Sequence, residues 1–157
     1  AEFESRLLAL SNAHSVLTDA KWESASKKEL TDRALAPFRG GATDTDRVTV
    51  IGDDTQLPPR AALAIAMALH ELASNAVKYG ALTEPTGKAA LDCKTNGDAV
   101  CLTWRETGGP LVSQPTRRGF GTRLIEQGLA RELSGSVKLD YQPDGVVCTI
   151  NFALGRD

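Results

Sequence analysis

The 157-residue sequence has no surplus of basic charge: 18 Lys and Arg stand against 20 Asp and Glu, a formal net charge of -2, and the basic residues form no block. Nothing here supplies the cationic surface that phosphate backbones demand, which argues against nucleic-acid binding. Long hydrophobic runs are also missing. The longest, Ala61 to Leu69, is alanine-rich and far short of a bilayer span, and no charged-then-apolar leader opens the chain. A soluble, cytoplasmic protein without membrane contact is expected. Cysteine is sparse. Cys93, Cys101 and Cys148 form no C-x-x-C pair and have no histidine nearby to complete a metal set, so neither a disulfide framework nor zinc is expected, and the thiols should be reduced. There is no internal repeat, no low-complexity tract and no G-x-x-x-x-G-K-[ST] loop. The length suits one domain with a real core and room for a small appended element.

What is present is a clear succession of elements. Phe3, Leu7, Leu10, His14 and Leu17 recur at steps of three and four, which predicts an amphipathic helix over 1–17 that must pack on something. Ser26-Lys27-Lys28-Glu29 has the S-x-x-E form of a capping box and predicts a short helix over about 26–36, stopped by Pro37. Val48, Val50 and Ile51 read as a strand. Leu57-Pro58-Pro59 sets up a helix start, with the pattern running from about Arg60 to Tyr79 before Gly80. Alternation over 87–94 and 98–105, around Asn96-Gly97, predicts a hairpin. Thr107 to Gly121 reads as a long loop, of the kind that is usually a functional lid or disordered. Leu124, Ile125, Leu129 and Leu133 then predict a helix over 122–133, capped at Gly135. A second hairpin joins Val137–Tyr141 to Val146–Leu154 across Pro143-Asp144-Gly145. This order predicts an α+β fold: a two-layer α/β sandwich with a mixed, mainly antiparallel sheet and helices on one face.

Chemistry-bearing residues gather on three of these elements. At about 100° per residue, Asn75 lies roughly 40° and Lys78 roughly 20° from Glu71 around the helix axis. They share a face. A solvated polar stripe is one account of that face. The other is chemical: an Asn oxygen suits Mg²⁺, which keeps its waters and takes substrate phosphates, and Lys78 would then meet phosphate charge. On the strand after the first hairpin turn, Val100, Leu102, Trp104 and Glu106 fall on the apolar side, so Glu106 ends the strand pointing toward the helices. A carboxylate there suits a ligand bearing an exocyclic amine, as adenine does, although a strand-end carboxylate in solvent would look the same in sequence. Trp104 reads either as core or as a platform for a ring. Gly108-Gly109 would let backbone approach a flat ring, and Gly119-Phe120-Gly121 before a helix would offer N–H groups to phosphates.

In this order the residues resemble the ATP-binding catalytic domain of sensor histidine kinases, in the GHKL superfamily with its Bergerat-type fold, shared with DNA gyrase, heat-shock chaperone and mismatch-repair ATPases. The resemblance is to the HWE subfamily, named for a histidine in the N box and a Trp-x-Glu in the first glycine box. Here these are His70 in His-Glu-Leu-Ala-Ser-Asn-Ala-Val-Lys-Tyr, and Trp104-Arg105-Glu106 followed by Gly108-Gly109-Pro110. Gly119-Phe120-Gly121-Thr122 resembles the second glycine box, and Arg6 through His14, with Trp22-Glu23, resembles the end of the dimerisation and histidine-phosphotransfer region. The resemblance implies a division into 1–38, the end of that helical region, and 39–157, the catalytic domain. It implies that ATP and Mg²⁺ are bound, with Asn75 holding Mg²⁺, Lys78 contacting phosphate, Tyr79 lining the pocket and Glu106 accepting the adenine amino group. Gly108, Gly109, Gly119, Phe120, Gly121 and Thr122 would complete the nucleotide site. Glu71 and His70 are the candidate catalytic residues. Glu71 would orient or deprotonate an acceptor imidazole, whereas His70 reads equally as a hydrogen-bonded structural group or a functional one.

The same resemblance implies transfer of the γ-phosphoryl group to a histidine on an upstream helix and onward to a response-regulator aspartate, in a parent expected to dimerise through its helices. No acceptor motif is expected within this chain, since His14 reads as packing on the first helix. Two other functions fit the residues: a stand-alone GHKL-type ATPase using Glu71 as base for water, and a non-catalytic nucleotide-binding scaffold.

Overall fold

The computed structural model of the chain describes Arg6, Leu10 and residues 25–38, 47–111 and 124–154. Arg6 and Leu10 are both helical, and the rest of the helix expected over 1–17, with His14, Trp22 and Glu23, lies outside the described residues. Among the described residues six helical segments, two of them short 3-10 turns (Ala36–Phe38 and Ala81–Thr83), and seven strands follow in chain order. A two-residue strand β1 (Ala25–Ser26) leads into α1 (Lys27–Leu35), then β2 (Val48–Gly52), β3 (Gln56–Leu57) and the long helix α2 (Pro59–Lys78). The hairpin β4 (Lys88–Asn96) and β5 (Ala99–Thr107) precedes a π-helical segment (Leu124–Leu129) that runs into α3 (Ala130–Leu133), and β6 (Ser136–Gln142) and β7 (Gly145–Ala153) close the fold.

The main sheet has five strands in the order β2-β4-β5-β7-β6, parallel between β2 and β4 and antiparallel elsewhere. Pairing of Leu91 with Trp104, Leu102 with Ile150 and Trp104 with Cys148 puts one apolar set on a single face. These side chains are buried with the inward faces of α1, α2 and α3 in one core. Asp92, Lys94, Thr103, Arg105 and Thr149 alternate onto the other face, where they are half-buried or exposed. The expected two-layer sandwich with its mixed, mainly antiparallel sheet and helices on one face is what forms. The ribbon of β1 and β3, which pairs Ala25 with Leu57 and Ser26 with Gln56, is too short to leave a periodic signal and was not expected.

Local chemistry explains the element ends. Ser26 caps α1 by accepting from the Glu29 N–H at 3.3 Å, and the Asp54 carboxylate accepts from both the Ser26 hydroxyl and the Lys28 N–H. Proline starts α2, where no first-turn donor is wasted. The inward side of α2 is largely alanine (Ala61, Ala62, Ala66, Ala73, Ala76), which lets the helix lie close on its neighbours while Ile65, Leu69 and Leu72 fill the gaps. At the end of α3 it is Ser134 that takes the left-handed conformation expected of a cap, at φ 50°. Gly135 instead passes against β7, where a Cβ would come within 2.0 Å of the Asn151 carbonyl oxygen. All three cysteines are free, and burial pushes the Cys148 thiol up to about 12, which makes it inert.

Leu30 and Leu35 of α1 belong to the same buried cluster as Leu69, Leu91 and Leu102, so the core draws on both sides of the expected division at residue 38. Leu30 is 1% exposed. Truncating it to Ala should therefore cost about 2–5 kcal/mol in urea unfolding, as for other buried leucines. A loss under about 1 kcal/mol, the scale of surface substitutions, would show that α1 is peripheral.

Candidate functional site

The polar face of α2 is a gradient. Leu69, Leu72, Ala73 and Ala76 fix the rotation of the helix by burying the opposite side. Along the remaining line Glu71 is buried, Asn75 is half-buried, and Lys78 and Tyr79 are exposed, Tyr79 at 75%. The line thus runs from protein interior to solvent. At its inner end the Glu71 carboxylate accepts from Arg6 Nε in an ion pair that ties the N-terminal region to α2. In its middle the Asn75 amide carries no side-chain hydrogen bond among the described residues, while its main-chain oxygen accepts from the N–H groups of Tyr79 and Gly80 at 2.7 and 3.1 Å. An amide with free acceptor capacity, next to an exposed ammonium, fits a cation that brings its own water and phosphate ligands. Among the described residues no three His, Cys, Asp or Glu cluster to hold a metal.

His70 turns away from this line. Its ring meets Phe38 edge-on, with centroids 5.4 Å apart and planes at 66°, and Nδ1 has no hydrogen-bond partner among the described residues. The residue is 7% exposed. Burial is the main influence that holds its pKa below the ordinary value; Glu71 opposes this and Arg6 and Lys78 reinforce it, so the imidazole is neutral at pH 7.

Glu106, 4% exposed at the end of β5, is the second pole of the site. One oxygen accepts from the Ala81 N–H at 3.0 Å and the other from Trp104 Nε1 at 3.0 Å. A solvent-facing strand end is therefore the wrong account of this carboxylate. Trp104, with 0% exposure, is core and not a ring platform, but its polar edge works on the site. The Ala81 contact joins the site's two poles. Gly80 follows Tyr79, the cap of α2, and a Cβ there would lie 2.3 Å from the Glu106 carboxylate, so a side chain at this position would displace the carboxylate from its place. The loop that carries Ala81 is braced by Arg47, whose guanidinium donates to the carbonyls of Leu82, Glu84 and Gly87.

Gly108 and Gly109 sit beside this loop. Gly108 has φ +75° and its carbonyl accepts from Thr86 Oγ1 at 2.8 Å, while a Cβ on Gly109 would come within 2.3 Å of Ala81 Cα. Close approach of protein backbone already demands both glycines, whatever they also offer a ring. Gly119, Phe120, Gly121 and Thr122, and the 107–118 lid beyond Leu111, lie outside the described residues. Sequence reasoning missed Arg6, Gly80, Ala81 and the hydrogen bond of Trp104. Only the last had a readable signal: residues two apart on a strand share a face, which puts an indole N–H beside a carboxylate.

Comparisons with known proteins bear on family and fold. Residues 1–54 match the HWE histidine kinase family. The chain is similar to the blue-light-activated histidine kinase of Brucella anthropi, at 36% identity over 99% of the chain and 32% of the relative, and to that of Brucella ovis, at 36% over 94% and 31%. It thus spans about a third of the length of these curated relatives. Its fold is that of the histidine kinase domain of the Erythrobacter litoralis EL346 blue-light-activated kinase (TM-score 0.75, 18% identity, 98% of this chain, 75% of that one). It also matches the catalytic domain of histidine kinase ThkA (TM-score 0.63, 16% identity, 86% of this chain, 99% of that one). Among the described residues no helix is long and apolar enough to cross a membrane.

Burial, the largest influence on Glu106, holds its pKa above 4.5 although both hydrogen bonds pull the other way. Between 4.5 and that raised value the folded chain binds more protons than the unfolded one, so this group's contribution to stability falls as pH rises through the window. Thermal melts from pH 4.5 to 7 should therefore show the wild type gaining on Glu106→Gln as the pH is lowered. A difference that does not change with pH would contradict the assignment.

Proposed function

We propose that the chain belongs with the HWE histidine kinases, whose family its first 54 residues match, and that it binds ATP with Mg²⁺ and positions the γ-phosphoryl group for transfer to a histidine of the parent kinase. The observation that carries this reading is the buried Glu106 carboxylate, fixed by Ala81 and Trp104 just beyond the end of α2. Two protein donors occupy two of its four lone-pair sites, which leaves acceptors for an exocyclic amine. Asn75 and Lys78 then lie up α2 from the base-reading end, where a triphosphate would extend.

Each residue takes a part suited to its setting. Glu106 reads the adenine amine, Tyr79 flanks the nucleotide, and Lys78 meets phosphate charge without leaving solvent. Gly108 and Gly109, with Gly119, Phe120, Gly121 and Thr122, form the rest of the nucleotide site. Asn75 supplies a protein oxygen for Mg²⁺, which when bound neutralises phosphate charge and fixes the geometry of the chain of phosphates. In the transfer the acceptor imidazole nitrogen forms a bond to the γ-phosphorus as the bond to the β-bridging oxygen breaks, and ADP leaves. Glu71 orients that imidazole or takes its proton, and His70 is assigned packing against Phe38 in place of a chemical step. The pairing of the Glu71 carboxylate with Arg6 favours the orienting part, and it equally disfavours Glu71 as base for water in a stand-alone ATPase. We assign residues 1–38 to the end of the dimerisation and phosphotransfer region, 39–157 to the catalytic domain, and the onward acceptor to a response-regulator aspartate. The parent is proposed to act in the cytoplasm, where ATP is supplied, and to pair through its helices.

Full-length protein given γ-labelled ATP should become labelled on histidine. Asn75→Ala should lose about tenfold to a hundredfold of that rate, the scale of one interaction with a charged group. Undiminished labelling by Asn75→Ala would remove the Mg²⁺ assignment, and failure of the chain to bind ADP with Mg²⁺ in calorimetry would remove the proposal as a whole.

A further inference from the structure

The indole of Trp104 is used in a way that core packing does not require. Its ring lies wholly inside the fold on the apolar face of β5, between Leu91 on β4 and Cys148 on β7, yet Nε1 points along the strand to the Glu106 carboxylate two residues on. Phe would fill much of the same space without an N–H. The partner on the other carboxylate oxygen is a backbone N–H, which like the indole can only donate.

We propose that Trp104 is the positioning residue that gives Glu106 its selectivity for an amino-bearing purine. Resting on the nucleotide reading above, the inference adds how one carboxylate is made to discriminate between bases. The terminal torsion of a glutamate is broad and lets the carboxylate turn about its axis. Two donors 3.0 Å away, one on each oxygen, remove that freedom and leave the outward lone pairs in one direction. Both donors also favour the charged form, against burial, which favours the neutral acid. A charged carboxylate accepts from the exocyclic amine of adenine and repels the carbonyl oxygen that guanine carries at the same ring position. Without the indole, Ala81 holds only one oxygen, the group can rotate or take up a proton, and the preference for an amine weakens.

Calorimetry with Mg²⁺ and two probes, ADP and purine riboside 5′-diphosphate, which lacks only the exocyclic amine, separates this role from packing. The wild-type chain should prefer ADP by about tenfold or more, the scale of a hydrogen bond to a charged group. Trp104→Phe should cut that preference to less than about threefold while the desamino nucleotide binds nearly as before, since its loss is confined to the one interaction. Should Trp104→Phe not fold, replacing Trp104 by benzothienylalanine, with Trp22 as Phe in all forms compared, exchanges the N–H for sulfur within the same shape. An unchanged preference in these variants, or an equal loss for both nucleotides, would overturn the positioning role. No preference in the wild type would instead show that Glu106 does not read the amine, which also overturns it but at the level of the reading beneath.

Discussion

The site depends on a carboxylate buried at 4% exposure and held at both oxygens by groups from different parts of the chain. Burying an ionisable group without partners would be costly, and the group would give up its charge. Here the cost is offset by one donor from its own strand and one from the residue after Gly80. The constraint reaches outward from there. Ala81 donates because the chain turns just past the end of α2, where Gly80 leaves room for the Glu106 carboxylate, and the turn keeps its course because Arg47 binds three carbonyls of the segment. Gly108 and Gly109 complete the arrangement by letting the segment after β5 lie against the same loop.

The sheet supplies the rigidity that such a contact needs. β5 is flanked by β4 and β7 along most of its length, so Trp104 projects from a position paired on both sides and Glu106 from one paired with Ala89 of β4. The helix layer is set by the same residues that bury the core, which turns the line of Glu71, Asn75 and Lys78 outward by default. Its exposure gradient separates three kinds of chemistry on one helix. The inner carboxylate is engaged by Arg6, the middle amide has acceptor capacity to spare, and the outer lysine is exposed. The ion pair also ties Arg6 to α2, and the curated relatives that the chain is similar to extend well beyond its length.

Much of this was legible in residue order. The capping box at Ser26, the proline start of α2, the alternation about Asn96-Gly97 and the helical spacing after Leu124 each reflect interactions within a few residues, and each element formed where its pattern lay. The misses have physical reasons. The ribbon of β1 and β3 is held by four residues and shows no period. The left-handed residue after α3 is Ser134, because Gly135 is claimed by the close passage of β7, a contact no local pattern can reveal. The first segment of the last helix winds as a π-helix, a departure from the spacing that its apolar residues suggested.

By itself the sequence determined the elements, the apolar face of each strand, the common face of Glu71, Asn75 and Lys78, and the inward direction of Glu106. Those properties follow from backbone periodicity, which is local. Tertiary structure alone decided that Glu106 is buried and doubly held, that Trp104 serves it from within the core, that His70 faces Phe38, and that Arg6 meets Glu71 across 65 residues of chain. Those outcomes depend on which distant segments the core brings within hydrogen-bond reach, and a periodic pattern carries no information about partners that far along the chain.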